Sequence, residues 1–379
     1  MSDPVGPPDA ELTGPRLLVV TVVHRPDDAR ILHRQIALLR AEGYRITYAA
    51  PWRATGVTPP AGLATRELPR ASGRDRLAAL LAARDLLRRE AGDHDLVLLH
   101  DPELLVALRL AGVARVPPVV WDVHEDTAVA LGDREWVPAL LRRVLAWAVR
   151  KLERWAERNV HLILAEDGYR ERFRRTHPVV RNHPWASQRP DPTLVTARDE
   201  PPRVVYVGRI SRGRGIGTVL ALGRALGATA RVELAGAVDR GIEDELDAAV
   251  AEGTVIWHGF VPNDRVGELL AGASVGLSLL SDDPNYRVSM PSKVVEYLAH
   301  GVPVVATPLP AVATLLDGEG GGLLVPFDDV DAAVAAVRRI LDEPGLGARL
   351  SAEGRVAATR RTWEVEGARL ASTLRTWAV

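Results

Sequence analysis

The chain has 379 residues, 47% of them apolar, with 48 Lys and Arg against 49 Asp and Glu, a formal net charge of −1, and no cysteine. That length suits about two domains. Near-neutral charge provides no field for capturing nucleic acid, and the missing thiols exclude disulfides, cysteine nucleophiles and Cys-ligated zinc.

At the N-terminus, MSDPVGPPDAELTGPR is acidic and Pro-rich and has neither the basic nor the apolar region of a secretion signal. Apolar runs such as Leu17 to Val23 are too short to span a bilayer, so a cytoplasmic protein without an integral membrane segment is expected. Arg16 to Val23, a polar loop, the helical pattern Ala29 to Glu42 and the run Ile46 to Ala50 form a β-α-β unit. Leu96 to Leu99 reads as a strand ending in His100-Asp101-Pro102-Glu103. Val119 to Trp121 reads as another, closing with Asp122, His124, Glu125 and Asp126. Polar residues therefore gather just past the strands, at the carboxyl edge where open α/β sheets bind ligands.

Pro138 to Asn159 is a long amphipathic helix carrying Trp147 and Trp155; packing against a sheet is expected, with contact to a membrane surface as the alternative. Leu162 to Ala165 is a strand, and the Pro- and Arg-rich stretch from Trp185 to Pro202 reads as a linker. From Arg203 onward strands Val204 to Val207, Val232 to Ala235, Val255 to His258, Val275 to Leu280, Val302 to Ala306 and Leu323 to Pro326 alternate with helices. Those helices run Ile216 to Leu226, Ile242 to Glu252, Asp264 to Ala271 and Val330 to Leu341, and the tail Thr362 to Ala378 is helical. The expected division is 1–184, a linker 185–202, a second domain 203–361, and a last helix 362–379. No repeat of solenoid length recurs, so the expected class is α/β, two doubly wound parallel-sheet domains.

Two segments of the second half carry the chemistry. Gly208-Arg209-Ile210-Ser211-Arg212-Gly213-Arg214-Gly215 follows a strand and opens a helix, the context of a phosphate site. Arg214 and Gly215 stand where a P-loop needs Lys and Ser or Thr, which argues against a nucleotide hydrolase. Arg209 and Arg214 can instead grip a diphosphate, the alternative being solvated loop arginines. In YRVSMPSKVVEYLAHGVPVV, the loop Ser289, Met290, Pro291 and Ser292 can turn amides toward the same diphosphate. Glu296, one helical turn on, can accept from ribose hydroxyls. Gly301 ends that helix. Lysine occurs only at Lys151 and Lys293, a bias given no functional weight.

In the first half, TVVHRPDDARI lacks a G-x-G-x-x-G, which removes most support for a dinucleotide dehydrogenase. His124 lies between acidic neighbours that would favour its protonated form, from which it could donate to a sugar hydroxyl. Asp27, Asp28, His100, Asp101 and Glu103 point to the same edge. The spacing of His100, Asp101 and His124 matches no compact ligand motif, so no metal is expected.

Together HRPDDARI, HDPELL, DVHED, VRNHP, YVGRISRGRG, WHGFVP and YRVSMPSKVVEYLAHGVPVVATPLP resemble, in order, the retaining glycosyltransferases of family 4. The resemblance implies a GT-B fold, two Rossmann-like domains facing a central cleft. It implies transfer of a sugar from a nucleoside diphosphate sugar to an acceptor hydroxyl or amine, with retention of configuration and without a metal or other cofactor. Arg209 and Arg214 match the family's basic pair on the donor diphosphate, although Lys is usual where Arg214 stands. Glu296 matches the second glutamate of the E-x7-E motif, on the ribose, and His124 the histidine near the reaction centre. His24, Asp28, Asp101, Glu103 and Glu125 are expected near the sugar or acceptor, and the last helix is expected to cross back to the first domain. Val288 occupies the position of the motif's first glutamate, so the donor-sugar contacts of that position do not transfer. A nucleotide-sugar epimerase or hydrolase, and a non-catalytic sugar-nucleotide-binding partner subunit, are the other function classes this pattern allows.

Overall fold

Mainly apolar stretches three to six residues long become the central strands of two parallel sheets, as expected for strands buried on both faces. The computed structural model describes residues 12–112, 116–124, 139–185, 201–262 and 265–378. The chain divides into two units, Met1–Asn182 with Glu366–Val379, and His183–Val365.

The first unit contains β1 (Arg16–Val20), β2 (Arg45–Ala50), β3 (Ala64–Glu67), β4 (Leu96–Leu99), β5 (Val119–Val123) and β6 (His161–Leu164), in the order β3-β2-β1-β4-β5-β6. The second contains β7 (Arg203–Val207), β8 (Arg231–Ala235), β9 (Ile256–Trp257), β10 (Val275–Ser278), β11 (Val304–Ala306) and β12 (Gly322–Leu324), in the order β12-β11-β10-β7-β8-β9. Counted from its own first strand, each sheet is 3-2-1-4-5-6, the order of dinucleotide-binding domains. Winding reverses between β1 and β4 and again between β7 and β10, so each unit opens a crevice where those strands end.

Alternate residues of β7 feed opposite faces of its sheet. Val204 and Tyr206 pack with Ile216, Val219, Leu222 and Val337, whereas Val205 and Val207 pack with Val294, Tyr297, Leu298 and Val312. In the first unit the segment after β1 enters a π-helical turn, Ile31–Ile36, before helix Ala37–Ala41.

Helix Trp363–Trp377 crosses the division. Trp363 lies in the second unit, its N–H donating to the Pro184 carbonyl at 2.8 Å. From Glu366 onward the helix belongs to the first unit. There Arg181 reaches Glu366 at 3.0 Å, the Tyr44 hydroxyl donates to the Ala371 carbonyl at 3.0 Å, and Trp377 stacks on His161 at 4.3 Å.

The helix expected over 138–159 runs Ala139–Asn159; Ala156, Glu153 and Glu157 are buried, whereas Val144 and Trp147 are exposed. Among the described residues no helix is long and apolar enough to cross a membrane. Most of the expected linker, residues 186–200, lies outside the described residues.

Candidate active site

At the carboxyl edge of the first sheet, side chains are bound to one another. Asp101, following β4, is fully buried; its Oδ2 accepts from the Thr21 hydroxyl at 2.9 Å and from the amides of Val22 and Val23. It thereby pins the segment after β1 across the winding reversal. Asp28 accepts from the Arg30 and Ile31 amides at 2.8 and 3.1 Å and starts the next turn. The π geometry then brings residues i and i+5 together, the Gln35 amide donating to the Arg30 carbonyl at 2.9 Å. Both side chains consequently reach Asp122 at the end of β5: Arg30 grips its two oxygens at 2.8 and 2.7 Å, and Gln35 donates at 2.8 Å. Burial works hardest against an ionised Asp122, yet Arg30 and His100 hold it well below the usual carboxylate range.

Against this cluster lie three histidines. His124 Nδ1 is 3.0 Å from the Asp122 carbonyl, which can only accept, so Nδ1 carries the proton. His124 Nε2 therefore offers a lone pair, and His24 Nε2 lies 2.7 Å from it, with Asp101 Oδ1 3.3 Å from the same His24 nitrogen. The sequence-based expectation of a protonated His124 is corrected here. Burial is the main reason His124 lies well below the ordinary imidazole range; His24, His100 and Arg30 push the same way and outweigh Asp122, whose charge is already held by Arg30. His100, Asp122 and His124 bring ligating atoms within 4.8 Å of one another. Both Asp122 oxygens and His124 Nδ1 are already engaged, whereas neither ring nitrogen of His100 has a hydrogen-bond partner among the described residues. Glu103 pairs with Arg76 at 2.9 Å, and burial raises its carboxyl above the ordinary range. Glu125 lies outside the described residues.

The second sheet's edge is built from backbone. β7 ends at Val207, Gly208 follows, and the loop turns through Arg212–Arg214 to Gly215, which starts helix Ile216–Leu226. Gly215 has φ +80°, and a Cβ there would lie 1.8 Å from the Leu279 carbonyl oxygen, so only glycine lets this loop close on the segment after β10. The Ser281 amide completes the closure by donating to the Gly213 carbonyl at 2.9 Å.

Beyond β10, Asp283 caps the short helix Pro284–Arg287, and Val288 follows it. Ser289 donates its hydroxyl back to the Tyr286 carbonyl at 3.2 Å. Helix Ser292–Ala299 then begins after Pro291 with no side-chain cap; the Val294 amide donates back to the Pro291 carbonyl at 2.9 Å, which leaves at most the Ser292 and Lys293 amides for a ligand. Tyr297 fixes this helix to the winding reversal: its hydroxyl accepts from the Val207 amide at 2.8 Å, and its ring fills the space a Cβ on Gly276 would need. Arg214 and Glu296 both act electrostatically on Lys293, the residue after Ser292 in the first turn of this helix. Arg209, by contrast, is exposed and pairs with Asp239.

Lys293 is the residue sequence reasoning passed over. Buried, with Nζ 3.6 Å above the Tyr206 ring centre, it has no hydrogen-bond partner for Nζ among the described residues. Its place in an otherwise lysine-poor chain was the available signal.

Residues 201–343 match the family model described as Glycosyl transferases group 1. Among solved structures the chain is similar to sucrose-phosphate synthase from Thermosynechococcus elongatus (17% identity, 96% of this chain and 99% of that one, TM-score 0.76). It is also similar to HepE of Anabaena in complex with UDP-glucose (16% identity, 96% and 100%, TM-score 0.71). A third is AviGT4, a glycosyltransferase involved in avilamycin A biosynthesis (17% identity, 96% and 98%, TM-score 0.61). The fold is GT-B. No curated protein matches the sequence. The matched stretch lies within the second unit, whose edge carries the Gly208–Gly215 loop and the uncapped helix.

Proposed function

We propose that the protein is a cytoplasmic, metal-independent glycosyltransferase of family 4, moving a sugar from a nucleoside diphosphate sugar to an acceptor hydroxyl or amine with retention of configuration. One observation carries this reading. At the winding reversal of the unit that contains the match to Glycosyl transferases group 1, an uncapped helix start carries Lys293 beneath the Gly208 turn, and Arg214 and Glu296 both act on it electrostatically. Amides and a guanidinium there suit a diphosphate, and a carboxylate one turn along suits ribose hydroxyls. HepE, similar in fold, has been solved with UDP and with UDP-glucose, which supports UDP as the first nucleotide to try.

Catalysis in this reading comes from holding the reactants and stabilising charge on the departing diphosphate, with no protein nucleophile. The neutral His124 is assigned to the reacting sugar or acceptor through Nε2, and His24 must then give up its bond to that nitrogen. Asp101 and Asp28 act as positioning residues for the His24 segment. Val288 favours a second reading, a non-catalytic sugar-nucleotide-binding subunit, because no carboxylate stands at that position.

Calorimetric binding of UDP, GDP, ADP, CDP and dTDP to wild type and to Glu296→Ala, without added metal, tests the site. One nucleotide is expected to bind. Loss of charge-assisted hydrogen bonds worth about 1.5–3 kcal/mol should weaken it roughly 10- to 150-fold in the variant. An unaffected affinity removes Glu296 from the site, and nucleotide binding with no turnover for any acceptor of a broad panel selects the second reading.

A further inference from the structure

Lys293 is placed where a cation is needed and where a cation is hard to keep. Its side chain runs beneath the Gly208 turn, 3.6 Å from where a Cβ of residue 208 would be, and only 5% of the residue is exposed. It stands in the first turn of helix Ser292–Ala299, where the positive end of the helix dipole disfavours an ammonium. The groups around Nζ are the Tyr206 ring from β7, Arg214 from the following loop, and Glu296 on the same helix. Tyr286 and Asp239 act electrostatically on Tyr206 in turn. Burial and Arg214 hold Lys293 well below the ordinary ammonium range, and Glu296 only partly offsets them. A buried amine in that position, with no hydrogen-bond partner for Nζ among the described residues, has unspent capacity directed at the turn above it.

We propose that Lys293 is a concealed cation of the donor site: an uncharged amine in the empty unit, it takes one proton from solvent onto Nζ when a diphosphate settles on the Gly208–Gly215 loop. The inference rests on the donor assignment to that loop. An arriving dianion reverses the local field that Arg214 and the helix start impose, and the protonated amine adds a charge-assisted bond beneath the phosphates. Departure of the diphosphate expels the proton again. The empty site thereby avoids packing three positive ends together with only Glu296 to offset them, while the filled site gains a third cationic contact. Donor binding is then proton-linked, and affinity falls by up to tenfold per pH unit between the amine's free and bound pKa values.

The sequence makes a direct measurement simple, because Lys293 and Lys151 are its only lysines. Full-length protein carrying Lys151→Arg and isotope-labelled at lysine Cε and Nζ gives one lysine signal by NMR. At about pH 8 that signal is expected at the free-amine position. It should move to the ammonium position on saturation with the tightest-binding nucleoside diphosphate of the calorimetric panel. The same calorimetry in buffers of differing ionisation heat should report uptake of about one proton, absent in Lys293→Met, whose affinity should drop roughly tenfold. An ammonium signal in the free protein, or an amine unmoved while calorimetry shows nucleotide bound, overturns the proposal and leaves the glycosyltransferase reading intact. If no nucleotide of the panel binds, both are overturned.

Discussion

The two sheets share one strand order and one winding reversal, yet their edges are built in opposite ways. In the first unit, Asp122 is bonded to Arg30 and Gln35, Asp101 to Thr21, and His24 to His124, most of them buried, and His100 lies 3.4 Å from Asp122, so most of the polar groups at this edge are spent on one another. In the second, glycines and an uncapped helix expose backbone, and the nearest buried charge-bearing group, Lys293, is left unbonded. Topology selects where a site can be; whether polar groups are spent on each other or left for a ligand decides what kind of site it becomes.

The largest expected effect comes from breaking the finished edge. Asp122→Ala strands the Arg30 guanidinium in the core, and loss of one partner of such a pair costs about 3–5 kcal/mol. Denaturant unfolding should show that loss in the first unit's transition, while nucleotide binding assigned to the second unit stays near wild type. Equal damage to both would dissolve the contrast.

Tyr297→Phe probes the open edge. Removing the hydroxyl leaves the buried Val207 amide unpaired, at about 1–3 kcal/mol, and loosens the helix that carries Lys293 and Glu296. A several-fold weaker nucleotide affinity is expected alongside lower stability; unchanged affinity would show that the helix start needs no such anchor.

The smallest effect is a slope. His124 is depressed from an ordinary value of 6.5, so below that pH the unfolded chain binds a proton that the folded one refuses, and stability falls with pH until the folded value is reached. His124→Gln should flatten the stability–pH curve just below 6.5 by the contribution of one proton. A curve parallel to wild type would mean the imidazole is not held neutral.

The sequence made the architecture readable wherever a strand is buried on both faces. Leu96–Leu99 and Ile216–Leu226 lie where their apolar patterns put them. β3 was not readable, because it is an edge strand of mixed residues, Ala64–Glu67, without an apolar run. The helix read over 264–271 shortens to Val266–Leu270, with residue 264 outside the described residues. Site chemistry was legible where it is local, as in the glycine spacing of the Gly208 loop or the turn from Ser292 to Glu296. It was not legible where partners are distant: Arg30 and Asp122 are 92 residues apart, and without knowing that pairing the charges flanking His124 suggest the wrong protonation state. The burial of Lys293 depends likewise on Tyr206, a residue of another element.

Helix Trp363–Trp377 has a consequence for the order of biosynthesis. The second unit is one continuous stretch of chain, whereas the first takes its closing helix from Glu366–Val379. On the ribosome, where chains fold as they emerge, the stretch from His183 to Val365 is fully available while the first unit still lacks the residues that bond Tyr44, Arg181 and His161. The unit translated first is therefore the one completed last, and it lacks those contacts until Glu366 and the residues after it have emerged.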